Sequence, residues 1–140
     1  MILKGDEGEI ELHILRRSNP DTEEFWDGNW LESKIIINIS GFKINYTTNL
    51  RVDDLQRFYE DLVVFQNGKT TEVEFTTMEE GLYLHCHLEI NGNVNCKGRA
   101  SNDTGNIFDF KLQTELVSID TFITDLKSIL KQYPMVGNNH

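Results

Sequence analysis

His85 and His87 stand two apart in the run GLYLHCHLEI, with Cys86 between them. On an extended strand that spacing puts both imidazoles on one face and the thiol on the other. Two such histidines begin a metal site, and His13 or Glu89 would have to supply a third ligand. No second compact ligand cluster follows, and His13 is distant in sequence. The pair therefore reads as exposed strand histidines, able to face a partner and to gain charge below neutral pH. No metal site and no cofactor is expected. Cys86 shares its predicted inner face with Cys96, across the turn Asn91-Gly92-Asn93. A disulfide is conceivable there, but burial and a cytoplasmic setting point to two free thiols packed as small apolar groups. The adjacent imidazoles project away from Cys86, so no base activates it as a nucleophile.

Carboxylates are the other chemical resource. Glu72 and Glu74 share one face of TTEVEFTT, and Glu79 and Glu80 occupy the turn beyond it. Paired acids can do acid-base chemistry or hold a divalent ion, yet such a row is more often a solvated face or a charge-protected edge. No phosphate-cradling glycine loop, GxSxG or HExxH occurs. The chain is thus read as a non-enzyme with no catalytic residue. Its most distinctive stretch is EEFWDGNWLESK, which holds both tryptophans. Trp30 and Leu31 open an isoleucine-rich strand, so at least one should enter the core. Trp26 sits earlier, inside a long polar loop with Glu23, Glu24 and Asp27. It has two readings of similar weight: a lid over a sheet edge, or an aromatic anchor for a partner.

The elements that must position these residues follow from periodicity. Ile10, Leu12 and Ile14 alternate with polar residues, and a polar loop from Arg16 to Asn29 follows. Strands are predicted from Trp30 to Ser40 (Ile35, Ile37 and Ile39 inward) and from Phe42 onward (Phe42, Ile44 and Tyr46 on one face). From Val52 to Gln66 the period becomes helical, with Asp53 and Asp54 at the positive end of the dipole and Asn67-Gly68 as the stop. Four more strands come next, with Val73 and Phe75, then Leu84, Cys86, Leu88 and Ile90, then VNCKGRA, then IFDFKLQTEL. A last helix spans about Ile119 to Tyr133, capped by Ser118 or Asp120. The predicted order βββαββββα, without an internal repeat, reads as one α+β domain over residues 1–134. It holds a mainly antiparallel sheet of about seven strands and two amphipathic helices. Residues 135–140 read as a disordered tail. Two helices cover only part of seven strands, so part of a sheet face should be left bare for a partner.

Composition narrows the partner. The 140 residues carry 23 acids against 13 bases, a formal net charge of -10. That field opposes nucleic acid and anionic membranes and attracts a cationic partner. No apolar run approaches the ~20 residues of a membrane span, and the N-terminus has no signal-like apolar region. A cytoplasmic location is expected.

Read in order, WDGNWL, the Gly41-Phe42 turn, VDDLQRFYEDLVVF, GLYLHCHLEINGNVNCKGRA and FDFKLQTELVSIDTFITDLKSIL resemble the WapI-type immunity proteins of bacterial polymorphic toxin systems. The resemblance spans nearly the whole chain and includes no catalytic motif. It implies a small cytosolic protein that binds and neutralises the C-terminal domain of a cognate toxin, and a ribonuclease acting on tRNA as that toxin. On this reading the contact surface draws on Glu23, Glu24, Trp26, Asp27, Glu72, Glu74, Glu79, Glu80, Tyr83, His85 and His87. A small acidic ligand- or metal-binding module is the alternative.

Overall fold

A computed structural model describes residues 1–138. Strands β1 (Ile2–Gly5), β2 (Gly8–Arg17), β3 (Trp30–Ile39) and β4 (Phe42–Arg51) form one antiparallel sheet in sequence order. A short helical turn, α1 (Phe25–Gly28), interrupts the β2–β3 connection, and helix α2 (Val52–Gln66) follows β4. Strands β5 (Glu72–Phe75), β6 (Leu82–Leu88), β7 (Asn93–Ser101) and β8 (Ile107–Glu115) form a second antiparallel sheet, and helix α3 (Leu116–Gln132) follows it.

The fold is α+β, but in place of the expected seven strands the described residues form eight, split between two sheets. The missing strand is β1, where Leu3 is the one fully buried side chain. With β1 counted, the chain runs four strands then a helix, twice over. The topology repeats where the sequence shows no repeat, because a repeated path needs only a matching hydrophobic period. The third helix is α1, within the stretch read as loop.

Alternation holds through β3, where Leu31, Ile35 and Ile37 are fully buried. Each such side chain contributes roughly 1.5–3 kcal/mol by leaving water. Leu55, Phe58, Leu62 and Phe65 turn one face of α2 inward, and Ile119, Phe122 and Leu126 do so for α3. Phe58 joins the layers, with its ring centroid 4.9 Å from Phe75 and 6.0 Å from Phe122. The two sheets meet at a corner, where the Asp6 N–H donates to the Gln113 carbonyl at 2.9 Å.

Several local expectations are corrected. The last helix begins at Leu116, with Glu115 at its N-cap and no side-chain cap, so neither Ser118 nor Asp120 serves. Ile90 lies beyond the end of β6 and is fully exposed. Phe42 is 62% exposed, while Ile44 and Tyr46 pack against the core. Cys86 and Cys96 are direct cross-strand partners and are joined as a disulfide, where free thiols were expected. Within the tail expected over residues 135–140, Val136 is tied to Asn29. The Val136 N–H donates to Asn29 Oδ1 at 3.0 Å, and its carbonyl accepts from Asn29 Nδ2 at 2.9 Å. Residues 139–140 of that expectation lie outside the described residues.

Tyr46 ties the halves together by donating its hydroxyl to the Gly81 carbonyl at 2.6 Å. Burial pushes its pKa well above the ordinary tyrosine value. A raised folded-state pKa stabilises fully below the unfolded value of about 10, and that contribution is lost as pH rises through the folded one. Tyr46→Phe is therefore expected to cost about 1 kcal/mol at neutral pH. It should also flatten the loss of stability between about pH 10 and 12. Urea titrations across that range check both, and an unchanged alkaline slope would contradict the assignment.

Candidate functional site

The loop around Trp26 is a fixed promontory. Glu24 caps α1, its carboxylate accepting the N–H groups of Trp26 at 3.3 Å and Asp27 at 3.1 Å. Beneath it lies Arg51, wholly buried at the β4–α2 junction and opposite Trp30 in the ladder. Its guanidinium donates to the Trp26 carbonyl at 2.7 Å, to the Phe25 carbonyl at 3.1 Å and to Asp53 at 2.8 Å. It also lies over the rings of Phe25, Trp26 and Trp30, at 5.2, 5.2 and 4.9 Å from their centroids. A desolvated cation over an aromatic face is worth up to ~2 kcal/mol, so this cluster fixes the loop strongly.

Asn29 closes the other side, holding the Phe25 carbonyl at 2.9 Å as well as Val136. Arg17 adds a bond to the Gly28 carbonyl at 2.8 Å and another to the Pro134 carbonyl. Trp26 emerges from this scaffold 49% exposed, with Glu23, Glu24 and Asp27 exposed beside it. It stands edge-on to the buried Phe25, centroids 5.0 Å apart. Of the Trp30–Leu31 pair, Leu31 is in the core and Trp30 is half-buried against Arg51.

The second group of predicted residues lies on the outer face of the β5–β8 sheet. Glu72 is opposite His87 and Glu74 opposite His85. Glu72 Oε1 lies 3.3 Å from His85 Nε2 and 3.7 Å from His87 Nδ1, and Tyr83 donates to Glu74 at 3.0 Å. The tyrosine pKa is raised, first by desolvation and then by that carboxylate. Farther along, Arg99 and Asp109 form a two-point ion pair at 2.7 and 3.1 Å that holds the carboxyl below its ordinary value. Glu79 and Glu80 sit exposed in the β5–β6 turn. The structure thus brings Glu72, Glu74, Tyr83, His85 and His87 together. Among the described residues no hydrogen bond or ion pair joins them to the promontory. His13 is in the other sheet, 3.7 Å from Glu11. Among the described residues no group of three His, Cys, Asp or Glu side chains is placed to hold a metal ion.

A third feature escaped the sequence reading. A groove of about 1090 Å³ opens between the tip of the β3–β4 hairpin and the inner face of the second sheet, over Phe42, Leu82, Gly98, Phe108 and Phe110. Phe42 reaches across to Phe108, centroids 5.9 Å apart, and Phe108 stacks along Phe110 at 6.0 Å. Its walls come from different sheets, so no local pattern reveals it.

Comparison with known proteins comes to three findings. A family model described as "Immunity protein WapI-like family" matches residues 1–134. A search of curated proteins finds no match. Among solved structures, one titled for the MRP1/MRP2 proteins of trypanosoma bruciei is similar at 10% identity and a TM-score of 0.45, covering 89% of this chain and 85% of that one. Another, titled as a guide-RNA-binding protein complex bound to a gRNA, has 10% identity and a TM-score of 0.46, covering 87% and 89%. Neither likeness carries chemistry over to this chain.

Proposed function

Because the chain belongs to the WapI-like immunity protein family, we propose that it protects the cell that makes it by binding the C-terminal domain of a cognate polymorphic toxin. The family match over residues 1–134 carries this reading. The toxin domain is a ribonuclease acting on tRNA, the inhibition is by occlusion, and the encounter takes place in the cytoplasm. The immunity protein itself performs no reaction. Charge supports the pairing. A nuclease that grips an RNA backbone presents lysines and arginines, and a net charge of -10 accelerates capture of such a surface.

Tight inhibition further needs an aromatic or Arg anchor at a desolvated centre. Trp26 meets that requirement. It is half exposed, immobilised from below by Arg51, and ringed by acids that complement a cationic partner. A pre-ordered side chain loses little entropy when it is covered.

The test uses the toxin domain encoded immediately upstream. Co-expression should restore growth, the purified proteins should form a stoichiometric complex, and its association should slow steeply as salt rises. Absence of both rescue and complex would end the proposal. Within a positive result, Trp26→Ala should stay folded and weaken binding by about 2 kcal/mol or more. Unchanged affinity would move the anchor elsewhere on the surface.

A further inference from the structure

We infer that residues 134–137, which follow α3, form a strap that holds Trp26 in its binding posture, an inference that rests on the immunity reading. Helix α1 has four residues, about a single turn. Helices that short do not persist in water on their own, so contacts from outside must order the turn that carries Trp26. Arg51 supplies some of them from below, at the Phe25 and Trp26 carbonyls. Arg17 and Asn29 supply the rest, and each of these side chains also bonds the strap. Arg17 donates from one guanidinium nitrogen to the Gly28 carbonyl at 2.8 Å and from another to the Pro134 carbonyl. Asn29 Nδ2 donates to the Phe25 carbonyl at 2.9 Å and to the Val136 carbonyl at 2.9 Å. Its Oδ1 accepts the Val136 N–H at 3.0 Å.

Among the described residues, every hydrogen bond made by residues 134–137 goes to one of these two side chains. The strap also fits the turn closely. A Cβ added at Gly28 would lie 2.5 Å from Val136 Cγ2. One added at Gly137 would lie 2.6 Å from the Phe25 nitrogen and 2.7 Å from the Glu23 carbonyl oxygen. Gly137 also has a φ of 71°, a conformation that a side chain strains. Little of this contact serves the core. Pro134, Met135 and Gly137 are exposed and Val136 is half-buried, so the strap covers little apolar surface and its bonds go to the loop. Without it, Arg17 and Asn29 turn toward solvent and loosen their hold on the Gly28 and Phe25 carbonyls. The turn then samples many conformations, and ordering it becomes a cost of binding.

Gly137→Val and Val136→Pro dislodge the strap by different routes, a clash with backbone and the loss of the N–H donated to Asn29. Hydrogen exchange on the protein alone reads the turn through the Gly28 N–H, which donates to the Glu24 carbonyl at 2.7 Å. In both variants its protection should fall about tenfold or more, while the Ile35 and Ile37 amides of the inner strand β3 keep theirs. Affinity for the upstream-encoded toxin domain should weaken about tenfold, the cost of ordering roughly one residue at the moment of binding. In a Trp26→Ala background the same changes should shift affinity by less than about twofold, because the anchor they position is already gone. Unchanged Gly28 protection in both variants would show that α1 needs no strap. Protection lost throughout β3 would make the segment part of the core. Either result overturns the proposal and leaves the immunity reading intact. Full affinity despite a loosened turn, or equal losses with and without Trp26, would overturn it as well. If the unaltered protein does not bind the toxin domain, both readings fall.

Discussion

Arg51→Ala should remove about 2–5 kcal/mol of stability, the cost of a buried carbonyl left without a donor plus that of the cavity left among the rings. That is a large share of the ~5–15 kcal/mol that holds a typical domain folded. The substitution deletes the donors to the Trp26 and Phe25 carbonyls and empties the space among three aromatic rings. Asp53 is the lesser casualty, because its side chain is 26% exposed and water can replace the guanidinium. The Phe25 carbonyl also keeps its bond from Asn29. Most of the cost therefore comes from the Trp26 carbonyl and the lost packing. Arg51→Lys should recover little, since one ammonium cannot serve two carbonyls and a carboxylate while lying flat against the rings. A urea titration with unchanged slope reports the difference. A loss below about 1 kcal/mol would show that the buried cation is dispensable, as an ordinary single hydrogen bond would be. Toxin binding by Arg51→Lys, measured where it remains folded, should also fall, because Trp26 would no longer be held in place.

Gly98→Val is the second large effect, at about 2–3 kcal/mol from overpacking. Gly98 is not needed for its backbone angles. A Cβ built there would lie 2.1 Å from the Cζ of Phe110, whose ring covers the glycine from the neighbouring strand. The ring is 6% exposed and stacked along Phe108, so displacing it disturbs its neighbour as well. Combining Gly98→Val with Phe110→Leu should therefore cost less than the two changes added together, the signature of residues in contact. Simple additivity in thermal or urea melts would mean the clash is relieved elsewhere.

Local periodicity was enough for the elements whose faces are decided by burial. Helix α2 occupies the expected Val52–Gln66, since Leu55, Phe58 and Leu62 leave no other face inward. The strand histidines and the acids opposite them were also legible, because alternation alone fixes their shared face. What escaped depends on register. Arg51 is an unremarkable residue in sequence, and only its ladder position opposite Trp30 brings it beneath Trp26. The period places Phe42 on one face with Ile44 and Tyr46, but at the hairpin tip that face passes the core, and Phe42 is left 62% exposed. Strand β1 was missed for want of length, and the division into two sheets has no local signal at all. The free cysteines were inferred from an expected compartment, whereas the pairing of Cys86 opposite Cys96 follows from the β6–β7 hairpin register.

The order of strands within each sheet has a consequence for how quickly the protein becomes useful. Every strand pairs with its neighbour in the chain, β1 to β4 in one sheet and β5 to β8 in the other. Each sheet can zip hairpin by hairpin, with the β2–β3 connection the one long loop to close and no segment to thread past another. Assembly of the first sheet needs nothing from residues beyond Arg51, so it can begin while the second half is still on the ribosome. The contacts between the halves, among them α2 against α3, Tyr46 with Gly81, Asn29 with Val136 and the sheet corner at Asp6 and Gln113, must wait for the later part of the chain. For a protein proposed to meet a toxin made in the same cell, the relevant quantity is then the delay between synthesis and readiness. A meandering topology keeps that delay short.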